Sequence, residues 1–252
     1  MPLLPAYAAL LALGVIWGSN FIFMKWATAL VSPAQTEFLR VLFGFLPLAF
    51  MAWRAGVIHR AQLRHLPHFA VMSVLAASFY YYGFVAGTAL LPTSVAGLLS
   101  GSIPIFTFLC AFLFLRDERP TLRMVMGVTL GFVGIAMSAR PWEGAGHVPL
   151  AGVFWMLAGT FSLGSSFVYA RRFLSPLGLS PLALATWQTG LAVLTLAVLT
   201  PFDGMGAILT DARALLGASV GLGVLGTGGA FLAYYFIIEK LGPLRASGAT
   251  YI

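Results

Sequence analysis

The sequence predicts an all-α, polytopic membrane protein built as an inverted 5+5 helix repeat, with about nine of the ten helices present in this chain. Three observations carry that reading. The first is composition: 60% of the 252 residues are hydrophobic and 8% charged, with a mean hydropathy of +0.95. A soluble domain carries about 25% charged residues, so this chain cannot cover a water-facing surface. The second is run length, since the apolar stretches reach ~20 residues, enough to cross ~30 Å of hydrocarbon as helix. The third is repetition. Trp17-Gly18-Ser19-Asn20-Phe21 returns as Leu163-Gly164-Ser165-Ser166-Phe167, and Ser32-Pro33 returns as Ser180-Pro181. Ala89 to Gly97 returns in diluted form as Lys240 to Gly248. Similarity that keeps its order while the offset drifts by a few residues marks a duplicated unit.

Each predicted span has its own signals. Pro5–Ala27 is continuous apolar sequence and directs insertion, because Met1 to Thr28 lacks the basic start and small-residue cleavage site of a signal peptide. Pro33–Trp53 and Pro181–Thr200 open on proline behind Ser32 and Ser180, which suit the first turn and the N-cap. Phe69–Leu90 ends before Pro92, and Thr93–Leu115 follows it; Leu122–Ala139 closes the first unit. Leu150–Ala170 starts behind Pro149, Ala214–Ile238 is glycine-rich, and Pro243 begins a ninth span. Pro47 and Pro104 lie within spans and predict kinks. The units are residues 1–141 and 148–252, the second cut short in its ninth helix. Ile252 aligns with Gly101, so a complete second unit calls for about 39 further residues and a parent of roughly 290.

Charge sets the orientation. With the N-terminus in the cytoplasm, ten of the fourteen Lys and Arg residues fall inside, leaving Lys25, Arg40, Arg140 and Arg213 toward the outside. That is the positive-inside bias. Five spans in the first unit then insert the second upside down. The net charge of +7 sits in short loops, an insertion signal and not a nucleic-acid footprint. The single cysteine, Cys110, excludes an internal disulfide and reads as a packing residue.

Polar and aromatic residues inside the spans are the candidate cavity wall: Trp17, Asn20, Phe79, Tyr82, Ser100, Ser166 and Tyr234. Asn20 is the only asparagine and must find a partner or water, because hydrocarbon offers none. It either lines a substrate cavity or staples the first helix to a neighbour. Trp17 shares its face at i and i+3. Phe79-Tyr80-Tyr81-Tyr82 is the densest aromatic cluster, with Tyr234-Tyr235 near the corresponding place in the second unit. Phe79 and Tyr82 share a face that suits an aromatic or apolar solute; helix packing is the alternative. Glu37 is the one carboxylate clearly within a span, and Arg40 follows at i+3. An unpaired membrane charge costs roughly 2.5–3.5 kcal/mol on insertion scales, so the two read as a structural ion pair. Lys25 snorkels outward or joins that pair.

Glycine steps such as Gly14/Gly18 and Gly217/Gly221 permit close helix contact. Gly221 to Gly226 formally matches a dinucleotide fingerprint, but it lies inside an apolar span and reads as packing that also loosens the helix. His59, His65, His68 and His147 are expected in loops, and Asp117-Glu118 in a salt-bridged cytoplasmic turn. No HExxH, GxSxG or phosphate-binding lysine motif appears, so no catalytic residue, metal or cofactor is expected.

The order Trp17-Gly18-Ser19-Asn20-Phe21, Glu37-Phe38-Leu39-Arg40, Ala89 to Gly97, then Pro104, Glu118, Gly127 and Gly134 resembles the EamA repeat of the drug/metabolite transporter superfamily. The resemblance implies ten helices in two inverted five-helix units around a central cavity, moving metabolites by alternating access. Within the superfamily the chain looks most like the YddG-type exporters of aromatic and other amino acids. The second unit departs from the pattern, with Leu163 for Trp17, Ser166 for Asn20, Ala185 for Glu37 and Gln188 for Arg40. An asymmetric cavity follows, its polar chemistry supplied mainly by the first unit.

The expected protein is therefore a monomeric, multi-pass secondary transporter in the inner membrane, exporting amino acids or related small metabolites. Its partners are that solute and the lipid bilayer, with no nucleic acid. A transporter of a drug cation or nucleotide-sugar is the alternative, and a passive channel a more distant one. An intramembrane enzyme lacks the constellation it would need.

Overall fold

The computed structural model describes residues 4–115, 121–139 and 149–252. Among these the chain is all-helical. We label the helices α1 (Leu4–Thr28), α2 (Pro33–Ala55), α3 (Arg60–Leu90), α4 (Thr93–Phe114), α5 (Leu122–Ala139), α6 (Leu150–Leu177), α7 (Pro181–Leu199), α8 (Ala212–Leu241) and α9 (Pro243–Ser247). Seven are long and apolar enough to cross a membrane, and α5 adds a shorter apolar stretch over Leu122–Gly134. The outward faces carry Phe50, Trp53, Leu113, Phe154, Leu194 and Val198, all exposed. Such a surface is stable only against lipid. The chain is a multi-pass membrane protein.

The starts of α2 and α7 share a local geometry. Ser32 and Ser180 adopt the same extended cap conformation, with φ/ψ of −64/159° and −63/149°. Their hydroxyls accept from Gln35 N and Ala183 N, each at 3.2 Å. Gln35 also closes a capping box by accepting from Ser32 N at 3.1 Å. Its amide donates to the carbonyls of Pro201 and Asp203, each at 2.8 Å, so the start of α2 is tied to the α7–α8 loop.

Third helices are irregular in both units. Val74–Ser78 in α3 and Gly217–Gly229 in α8 are π-helical, which widens the turn and frees the backbone for side-chain contacts. The glycines of α8 then seat it on its neighbours. A Cβ at Gly221 would stand 2.5 Å from Phe23, one at Gly223 would stand 2.6 Å from Phe43, and one at Gly226 would stand 2.5 Å from the Asn20 amide. The formal fingerprint is therefore a packing surface against α1 and α2. Pro104 does not kink a continuous helix; it restarts α4 after a turn at Gly101-Ser102, while α2 runs helical through Pro47.

Packing between the units is reciprocal. The most extensive contacts are α2 with α8 and α3 with α6. Exchanging first-unit helices for their second-unit counterparts maps α1–α8 onto α6–α3, and α2–α8 onto α7–α3, and both members of each pair are in contact. The α2–α7 contact maps onto itself. This pattern is what an internal two-fold produces.

Two loop assignments change. His65 and His68 belong to the first turns of α3, whereas His59 is in the preceding loop. His68 Nδ1 and the Tyr169 hydroxyl lie 2.8 Å apart. Arg116, the Asp117-Glu118 turn, Arg119, Arg140 and His147 lie outside the described residues.

Candidate functional site

Arg40 is the centre of the polar interior. It is 1% exposed, in the middle of α2. Its Nε donates to Thr227 Oγ1 at 3.1 Å and its Nη2 to the Gly226 carbonyl at 3.2 Å, both on the π-helical stretch of α8. Thr227 is free to accept because its own proton goes to the Leu222 carbonyl at 2.8 Å. The guanidinium lies over the Tyr81 ring, 3.5 Å from its centroid, a cation–π contact in a water-poor setting. Asn20 completes the cluster: with its amide turned so that both ends are satisfied, its side-chain oxygen accepts from Arg40 Nη2 at 3.0 Å and its nitrogen donates to the Ile16 carbonyl at 3.2 Å. One guanidinium thus joins α1, α2, α3 and α8.

The second unit keeps a weaker copy. Gln188, the repeat counterpart of Arg40, accepts a hydrogen bond from Tyr235 on α8, as Arg40 meets Tyr81 on α3. Both pairs join the second and third helices of their own unit. Arg40 is a cation where its counterpart Gln188 is neutral.

Beside this cluster lies a chamber of about 50 Å³ of free volume, room for a few waters. The first unit lines it with Trp17, Asn20, Arg40, Tyr80 and Ser100, and the second with Thr250 and Ile252. Trp17 Nε1 is buried with no hydrogen-bond partner. Ser100 spends its proton on the Gly97 carbonyl at 2.6 Å.

The candidate residues divide. Trp17, Asn20 and Ser100 share the chamber. Phe79, Tyr82, Ser166 and Tyr234 do not line it. Phe79 is 42% exposed on the periphery, and Tyr82 stacks edge-on against Trp155 at 5.1 Å. Ser166 and Tyr234 are fully buried and lie with their hydroxyls 2.9 Å apart, one layer behind Trp17 through Phe167. The reason is that α3 is apolar on every side, so periodicity could not say which aromatic face turns inward. The inward face belongs to Tyr80, Tyr81 and Phe84, all buried.

The Glu37–Arg40 ion pair is corrected. Glu37 is 0% exposed, yet neither carboxylate oxygen has a hydrogen-bond partner. Spacing at i+3 put the two on neighbouring positions, but the guanidinium reaches across to α8, where carbonyl and hydroxyl acceptors compete for it. Lys25 does not join them; its Nζ donates to the Ala89 carbonyl at 3.3 Å, near the end of α3.

Sequence reasoning missed Arg40 and Tyr80 as chamber residues. A signal existed: Arg40 and Gln188 are polar at the same repeat position, and tyrosine pairs recur at Tyr80-Tyr81 and Tyr234-Tyr235. Among the described residues, no group of three or more His, Cys, Asp or Glu is placed to hold a metal ion.

Comparison with known proteins places this geometry. Residues 4–140 match the model of the EamA-like transporter family. The uncharacterized inner membrane transporter YedA of Escherichia coli K12 is 28% identical over 99% of this chain and 79% of its own length. A probable terminal-alkyne amino-acid exporter of Streptantibioticus cattleyicolor is 25% identical, over 100% of this chain and 82% of its own length. One solved structure superposes with a TM-score of 0.67 over 98% of this chain and 84% of the other, at 18% identity, a likeness of fold alone.

Proposed function

We propose a function from one premise: the chain belongs to the EamA-like transporter family. It is a transporter, and on our reading its solute is an amino acid or a related small metabolite, exported across the inner membrane. The carrying observation is the chamber, a hollow inside an apolar helix bundle whose mainly apolar wall carries Asn20, Arg40, Tyr80 and Ser100 from the first unit and Thr250 from the second. Buried polar groups in lipid are costly, and a bundle keeps them where a solute or ion passes. The exporter of amino acids among the relatives supports the same solute class.

At about 50 Å³ the chamber is too small for an amino acid, so on our reading loading requires the units to part. Rocking of two inverted units about a midplane site meets that requirement. Reciprocal packing and the duplicated caps support two equivalent units, and the charge bias supports a cytoplasmic N-terminus. One chain supplies both halves of the wall, so a monomer suffices.

The test is efflux from proteoliposomes loaded with a panel of labelled amino acids. Protein-dependent release of at least one is expected; no release of any member rejects the solute class. Replacing Asn20 with alanine removes an Arg40 partner, and unchanged affinity for every transported solute would remove Asn20 from the site.

A further inference from the structure

We infer that the chamber recognises its solute by the carboxylate and not by the ammonium group, so that acids lacking the amine are bound while amines lacking the carboxylate are refused. This rests on the reading of the chamber as a solute site and narrows it.

Among the described lining residues, Arg40 is the one charged group, and no carboxylate lines the chamber. Glu37, three residues before Arg40 on α2, is buried outside the lining. A guanidinium has five N–H donors. Contacts to Thr227, Gly226 and Asn20 engage Nε and Nη2, and none of the three is made by Nη1. Tyr81 covers one face of the guanidinium, so the group is approached along its edge, where a carboxylate binds. Trp17 contributes an unpaired donor, the buried Nε1–H. An indole nitrogen donates only, and a buried donor without a partner is costly, so an acceptor is what this position lacks.

Against an ammonium group the same wall is poor. Asn20 has its oxygen committed to Arg40, and Ser100 offers only neutral lone pairs. Arg40 itself repels a cation in a low-dielectric setting. The charged group in the lining is a cation that belongs to the protein. An anionic end of the solute matches it.

The experiment compares trios of one skeleton: phenylalanine, 3-phenylpropionate and phenethylamine, then leucine, 4-methylvalerate and isoamylamine. Each is titrated against the purified full chain, with tryptophan fluorescence as the binding readout, and then as a competitor of labelled amino-acid uptake. We expect each acid to bind within about 5-fold of its amino acid, and each amine to be weaker by about 100-fold or more. Arg40→Gln should weaken the acids by about 30-fold or more. Trp17→Phe keeps the ring and deletes the donor, and should weaken them about 5- to 10-fold. Should Arg40→Gln fail to fold, the Trp17→Phe shift and the trio ranking still decide. Amines that bind as well as the amino acids, acids that fail to bind, or an unchanged ranking in both variants would overturn the inference. Acids that bind while no amino acid is moved would instead sink the transport reading and leave this one standing.

Discussion

Arg40 shows how a single side chain in lipid sets the chemistry around it. Its hydrogen bonds and ring contact run to α1, α3 and α8, and neither Glu37 oxygen has a hydrogen-bond partner. Glu37→Gln therefore removes no direct contact. Its expected cost is about 1 kcal/mol or less, read as a small change in melting temperature in detergent; a large drop would mean the carboxylate is tied after all. Ser166→Ala is the opposite case. It strands the Tyr234 hydroxyl at a fully buried position and should cost about 1–3 kcal/mol by the same assay. At this scale the sequence was partly legible. A polar group within an apolar run must find an interior partner, which is why Asn20 could be singled out. Nothing comparable chose between Phe79 and Tyr80, because lipid and protein interior are equally apolar and a helix between them carries no polar face.

Helices were far more legible than side chains. Proline and serine punctuation marked the starts of α2 and α7, and hydrophobic length marked the rest, because both signals are local. The π-helical stretches were not legible, since they arise when one helix settles on another. Gly44 is a position where that settling can be tested. A Cβ there would meet Thr227 Cβ at 2.7 Å and the Gly223 carbonyl at 2.9 Å, pressing on the residue that holds Arg40. Gly18 has nothing within 4 Å of an added Cβ. Gly44→Ala should thus destabilise the protein by about 1–3 kcal/mol and Gly18→Ala by less than about 1 kcal/mol. Equal melting temperatures for the two variants would contradict the packing assigned to α2 and α8.

For the molecule as a whole, we read the matching caps and the contacts that survive exchange of the units as the product of a duplication. Opposed insertion of the units predicts that equivalent positions lie on opposite sides of the membrane. With Cys110→Ala as a cysteine-free background, Ser32→Cys should react with an impermeant maleimide in intact cells, and Ser180→Cys only after permeabilisation. Labelling of both from the same side would end the inverted arrangement. The carrier claim itself is tested most directly by counterflow. Proteoliposomes preloaded with an unlabelled amino acid should take up the labelled one faster than empty ones, because a carrier returns loaded. Uptake indifferent to what lies on the far side would contradict alternating access and point to a pore.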